Sequence, residues 1–196
     1  VANARPDGQT VYLMTGGLTV VSATDRTLQL DLLRDFSYIG MVSQYPLTFT
    51  VSSTSPYRTM SDLIAGARAR PGKISYSSVG VGTTLHLAVE LFCSMTGISM
   101  HHVPYKGMGG LNDMMAGVID VAIGTTVGLE TLLQGGRVRV LSVTSPARWQ
   151  GLESVPALAE TVPGFDVVTW TAMAAPAGLP PPIQARLSSA LIETLS

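Results

Sequence analysis

The stretch Lys73-Ile74-Ser75-Tyr76-Ser77-Ser78-Val79-Gly80-Val81-Gly82-Thr83-Thr84-Leu85-His86-Leu87-Ala88-Val89-Glu90-Leu91-Phe92 decides how the chain is read. Its front, Lys73–Tyr76, reads as a strand. Gly80 and Gly82 allow a tight turn. A helix is predicted from about Thr83 to Met95, where Ala88, Leu91, Phe92 and Met95 fall at i, i+3, i+4 and i+7 and give one apolar face. Gly97 supplies the stop. Strand, glycine-rich loop and helix in this order form the opening of a βα unit.

The same alternation extends in both directions. Upstream, Gln9–Met14, Asp35–Val42 and Leu47–Val51 read as strands, and Thr59–Arg70 as a helix that buries Met60, Leu63, Ile64 and Ala67. Thr59 with Asp62 three residues on resembles a capping box, and Pro71-Gly72 ends the helix. Downstream, Ser99–Val103 is a predicted strand, followed by a helix burying Leu111, Met114, Met115 and Val118. Asp120–Ile123, a helix over Thr126–Leu133 and a strand over Arg137–Val143 continue the series. Strands alternating with helices imply parallel βαβ units and an α/β fold. After Ser145 the pattern changes to an irregular stretch, a strand over Phe165–Ala174, a proline-rich corner and a helix over Ile183–Leu195.

Composition narrows the function classes. Of 196 residues, 46% are hydrophobic and 13% charged, against a usual charged share of about 25%. With 12 Lys and Arg facing 13 Asp and Glu, the chain lacks the basic footprint of nucleic-acid binding and any cluster that would favour a membrane surface. Apolar stretches such as Phe36–Tyr57 are interrupted by Ser, Gln, Pro and Gly, so no membrane span is predicted. The chain opens on VANARPDGQT, which does not read as a signal peptide. A single cysteine, Cys93, permits neither an internal disulfide nor a Cys-based metal site, and it reads as a buried core thiol.

Three loops carry the chemistry. The segment Ser77–His86 leads from strand to helix, so free N–H groups and the positive end of the helix dipole face outward there. Hydroxyls of Ser78, Thr83 and Thr84 add donors. This fits an anion cradle for a carboxylate or phosphate, and it equally fits an ordinary βα turn capped by a threonine. The loop lacks the third glycine of the dinucleotide fingerprint, and no P-loop motif occurs. His86, with Glu90 four residues on, is a ligand candidate with a structural alternative. Tyr105 and Lys106 offer a hydroxyl and a charge, or a solvated loop. Gly124-Thr125-Thr126 repeats the strand–polar loop–helix layout. Loops at the carboxyl ends of parallel strands are where α/β sheets bind ligands, so the three are expected to converge on one edge. His101 and His102 are neighbours on a strand and point to opposite faces, which argues against a shared metal. No nucleophile elbow appears, and no metal or cofactor is expected.

Taken in order, the motifs resemble a known family. Ile74–Ser78 with Gly82–Phe92, His102-Val103-Pro104-Tyr105-Lys106-Gly107, and Leu111-Asn112-Asp113-Met114-Met115-Ala116-Gly117 are similar to the signature of Bug-type solute receptors of tripartite tricarboxylate transporters. Ala4–Gly8, Arg34–Phe36, Ala69–Lys73, Val143–Ser145, Val155-Pro156 and Ala175–Gly178 match in collinear order across nearly the whole chain.

The resemblance implies a two-lobe periplasmic binding protein of type II-like architecture, with parallel or mixed sheets. Residues 1–50 would form part of lobe one, 51–165 a continuous lobe two, and 166–196 the return to lobe one. It implies a non-enzymatic receptor that holds a small mono-, di- or tricarboxylate in an inter-lobe cleft and docks transiently on membrane transporter subunits. Ser78, Gly80, Gly82, Thr83, Thr84, His86, Tyr105, Lys106, Thr125 and Thr126 would contact ligand from lobe two, and Thr15, Gly16 and Gly17 from lobe one. Relatives normally carry a further N-terminal stretch with a Pro-Gly-Gly loop and a C-terminal tail, so lobe one is expected to be incomplete here. Many relatives also carry Asp or Asn where this chain has Gly124-Thr125-Thr126, which argues against an amino-acid ligand. Two other classes stay open: a small α/β enzyme acting on an anionic substrate, with His86 as general base and Lys106 as electrostatic stabiliser, and a sensor subunit that signals to a partner.

Overall fold

The computed structural model describes residues 1–25, 27, 30–107, 109–127 and 129–196. The chain divides into two compact units, Val1–Gln44 with Thr169–Ser196, and Tyr45–Val168.

In the first unit, β1 (Tyr12–Thr15) pairs antiparallel with β7 (Val168–Pro176), Tyr12 opposite Ala174 and Thr15 opposite Thr171. Helix α1 (Gly16–Thr24) follows β1 without a loop, with Thr15 as its N-cap residue. Met14, Phe36 and Ala174 form one small core. A second is formed by Ile39, Ala175 and Leu179, against which α6 (Pro181–Leu195) lays Ile183, Leu187 and Leu191 at helical spacing. The sequence places the start of this helix two residues late, because Pro181 is well suited to a first turn that needs no N–H.

Strand β2 (Phe36–Ser52) is continuous where the sequence suggests two pieces. Pro46, which has no N–H to give a ladder, falls where the strand leaves one unit for the other. In the second unit β2 is antiparallel to both β5 (Val121–Thr125) and β6 (Val138–Val143). Strand β3 (Ser75–Ser78) is parallel to β5 and to β4 (His101–Pro104). The order is β6-β2-β5-β3-β4, a mixed sheet rather than a wholly parallel one.

Helices cover this sheet on both faces. On one, α2 (Met60–Ala69) and α3 (Thr84–Thr96) bury the main core, which includes Leu47, Phe49, Leu63, Tyr76, Phe92 and Phe165. The α2 capping box is formed as the sequence suggests, Thr59 accepting from the Asp62 N–H and Asp62 from the Thr59 N–H. Helix α3 is rotated from its expected setting. Ala88, Val89, Phe92 and Cys93 are buried, whereas Leu91 and Met95 are each 41% exposed. Both faces satisfy a 3.6 period, and the packing partners choose between them. Cys93 is buried as expected, and burial pushes its thiol up to about 11.

On the opposite face lie α4 (Gly109–Met115) and α5 (Leu129–Gln134). Met114 is buried, but Val118 is 68% exposed, because α4 ends at Met115 and the chain turns through Gly117 at φ 77°. No described helix is long and apolar enough to cross a membrane.

Candidate functional site

The second unit contains a cavity of about 200 Å³ at the carboxyl ends of β3, β4 and β5. Its floor follows from strand register. Thr48 lies opposite Gly124, and Thr50 opposite Ala122, which in turn lies opposite Ser77. Partners across a ladder share a face. One face of the sheet thus carries a patch of small side chains, while the alternate residues Leu47, Phe49 and Val51 fill the main core. Small residues on the floor leave space under α4 and α5. The walls are Val79, Leu85, Leu111, Ile123, Val127 and Leu129, with Tyr105, Gly107, Gly110, Ser78 and Thr125 at the rim and roof. The lining is mainly apolar and, among the described residues, includes no Lys, Arg, Asp or Glu.

The loop between β3 and α3 is tied down by its own side chains. Thr83 caps α3: its hydroxyl accepts from the His86 N–H at 3.3 Å and donates to the Gly80 carbonyl at 2.8 Å. The Ser78 hydroxyl accepts from the Gly80 N–H at 3.1 Å and lies 2.7 Å from His102 Nε2. Gly80 and Gly82 take φ of 140° and 77°, a region that L side chains rarely adopt. With Thr83 satisfying the His86 N–H, the N–H groups of Thr84 and Leu85 begin the helix without intrahelical partners.

His86 is part of a ring stack. Its imidazole lies 4.2 Å from that of His102, which stacks in turn on Tyr76 at 4.9 Å. His86 Nδ1 accepts the Gly82 N–H at 3.2 Å, and Nε2 lies 3.8 Å from Glu90 Oε1. Tyr76 donates to the same carboxylate oxygen at 2.7 Å. Burial, followed by the nearby His86, holds His102 below the ordinary histidine range, and burial with the Glu90 hydrogen bond pushes Tyr76 up. These contacts give His86 a positioning role toward the loop, and it does not line the cavity.

Of the residues singled out from sequence, Ser78, Tyr105 and Thr125 line the cavity. Tyr105 contributes its ring, since its hydroxyl donates to Asp113 Oδ2 at 2.6 Å. Gly80, Gly82, Thr83, Thr84 and His86 form the adjoining loop and helix start. Lys106 is exposed, and Thr126 follows β5 outside the lining. Thr15, Gly16 and Gly17 belong to the first unit, at the junction of β1 and α1. Sequence reasoning missed Thr48 and Thr50, and took Ser77 only as the first residue of the loop. The signal of the two threonines was present in Leu47–Val51, where they alternate with large apolar residues although both faces are buried.

Comparison with known proteins adds a lineage to this geometry. The model of the "Tripartite tricarboxylate transporter family receptor" matches residues 1–196. The chain belongs to that family. Among curated family relatives, a UPF0065 protein from the tcbD-tcbE intergenic region of Pseudomonas sp. (strain P51) is 33% identical, over 100% of this chain and 59% of its own length. Protein BugT of Bordetella pertussis is 29% identical, over 99% of this chain and 61% of its own. The chain therefore spans less than two-thirds of these relatives. Among solved structures, R. palustris Rpa4515 with adipate superimposes with a TM-score of 0.88 at 34% identity, over 97% of this chain and 65% of that one. The periplasmic binding protein BugD gives 0.84 at 28% identity, over 97% and 64%. MatC of Rhodopseudomonas palustris with bound malate gives 0.86 at 25%, over 100% and 68%. The receptor family's two-lobe periplasmic binding protein fold is thus the fold of this chain.

Proposed function

We propose that the protein is a periplasmic receptor that binds a small carboxylate at the carboxyl edge of β3, β4 and β5 and delivers it to a membrane transporter, without chemical turnover. The observation that carries this reading is the junction of the cavity with the start of α3. There Thr84 and Leu85 present backbone N–H groups, and the positive end of a thirteen-residue helix faces the same region. A carboxylate at that point accepts charge-assisted hydrogen bonds, each contributing about 1.5–3 kcal/mol. Ser78, Gly80, Gly82 and Thr83 fix the loop that aims these donors, Thr84 adds a hydroxyl, and Tyr105 and Thr125 border the ligand. The adipate-bound and malate-bound relatives support an acid as ligand, and BugD supports the periplasm as location.

Isothermal titration with a panel of mono-, di- and tricarboxylates tests the reading. Binding of an acid, weakened by Thr84→Pro at the helix start and accompanied by no change in the ligand on recovery, is the expected result. Binding of amines or neutral sugars in place of acids, or conversion of the acid to product, would remove it.

A further inference from the structure

The cavity's lining restricts the ligand more narrowly than the carboxylate reading does. Its floor is a small-residue patch built around Thr50, Ala122 and Ser77, and its walls are hydrocarbon from Leu85, Leu111 and Ile123. Among the described residues no cationic side chain lines it, so a carboxylate placed inside would be desolvated with only hydroxyls to face. Burying a charge without a partner is strongly unfavourable, whereas burying a ring is favourable in proportion to its area. The charge therefore belongs at the α3 start and an uncharged body inside the cavity. Size agrees with this division. An apolar cavity of about 150 Å³ takes up benzene, and this one, of about 200 Å³, has room for a six-carbon ring with a small substituent.

The described lining offers hydroxyls, among them that of Ser77, which is 3% exposed. A single neutral hydroxyl or ether on the ligand body would have a hydrogen-bond partner there.

Resting on the carboxylate reading, we infer that the ligand class is a monocarboxylate with a compact apolar body of about six carbons, aromatic or alicyclic, carrying at most one small neutral polar substituent. Di- and tricarboxylates of comparable length are discriminated against because their second charge would enter the cavity.

Titration of the unmodified chain with acetate, benzoate, cyclohexanecarboxylate, 1-naphthoate, succinate and citrate tests this without any risk of misfolding. The expected order places benzoate and cyclohexanecarboxylate at least tenfold tighter than acetate, succinate and citrate. Naphthoate should fall back because its second ring exceeds the cavity. Ala122→Val narrows the floor and should abolish the preference of benzoate over acetate, with thermal melting used to confirm that the variant is folded. Should it not fold, the order of acids for the unmodified chain decides alone. Succinate or citrate binding as tightly as benzoate, or a folded Ala122→Val protein with an unchanged preference, overturns the inference while leaving the carboxylate reading in place. Failure of every acid to bind overturns both.

Discussion

Thr83 joins local folding to the site in a single side chain. Its hydroxyl accepts from the His86 N–H and donates to the Gly80 carbonyl, so it caps α3 and closes the glycine loop together. Replacement by valine keeps the volume and removes both bonds. Thr83→Val should lower stability by about 0.5–2 kcal/mol in urea melts, and it should weaken acid binding by loosening the donors rather than by removing one. His102 gives a second prediction. Its folded-state pKa lies below the ordinary value of about 6.5, chiefly through burial and then through His86, with His101 acting in the same direction and Glu90 opposing. The unfolded chain therefore takes up the proton first. The stability from this residue is fully present above about pH 6.5 and is lost as pH falls through the folded pKa. Tm should fall between pH 7 and pH 5, and His102→Gln should reduce that slope. The cap was legible in the sequence as a threonine between a glycine turn and an apolar helix. The ring stack of Tyr76, His102 and His86 was not, because it joins two strands and a helix whose proximity arises only from the β3–β4 register.

At the scale of elements, α4 packs directly on the sheet at Gly110, beside the cavity. A Cβ added at Gly110 would lie 2.5 Å from both Cβ and Oγ of Ser77 and 3.1 Å from the Tyr105 ring. Gly110→Ala should therefore push α4 away from the sheet, costing about 1–3 kcal/mol despite alanine's better helix propensity. A denaturant midpoint that falls without a change in slope would show this. Strand β6 offers the opposite case. Ser142 is fully buried, and its Oγ is the one buried side-chain N or O without a hydrogen-bond partner among the described residues. Ser142→Ala removes an unsatisfied hydroxyl and should leave stability unchanged or raise it by up to about 1 kcal/mol. Element order was readable because period 2 and period 3.6 alternate along the chain, and the α2 capping box was readable from Thr59 and Asp62. Two things were not. The face of α3 is set by its partners in the main core, so Val89 and Cys93 displaced Leu91 and Met95. The cavity floor depends on Thr48, Thr50, Ala122 and Ser77 meeting across three strands, and that register is not written in any one of them.

For the whole molecule, the two units differ in how they are built. Tyr45–Val168 is one continuous stretch, and its main core runs from Leu47 to Phe165. The other unit draws on two segments distant in sequence, and its core clusters among the described residues are small, Met14 with Phe36 and Ala174, and Ile39 with Ala175 and Leu179. Stability rises with buried apolar area, and bringing distant segments together carries a loop-closure cost. The continuous unit should therefore resist denaturant longer. The sequence supplies a reporter for each, since its only two tryptophans, Trp149 and Trp170, fall one in each unit. Trp149 packs partly buried against the cluster of Leu129, Val143 and Val155, and Trp170 against that of Met14 and Phe36. In the single-tryptophan variants Trp149→Phe and Trp170→Phe, fluorescence then reads one unit at a time. The Trp170 signal, seen in Trp149→Phe, should change at lower urea than the Trp149 signal, seen in Trp170→Phe. Hydrogen exchange on the unmodified chain should agree, with the slowest amides in β3, β5 and the Leu47–Val51 part of β2 and faster exchange in β1 and α6. A saturating acid bound at the α3 start should shift the Trp149 transition to higher urea and, by linkage, raise it by RT ln(1 + [L]/Kd). Coincident transitions for the two tryptophans at every ligand concentration would show instead that the units unfold as one cooperative body, and that the small clusters around Met14 and Ile39 are not the weaker part of the molecule.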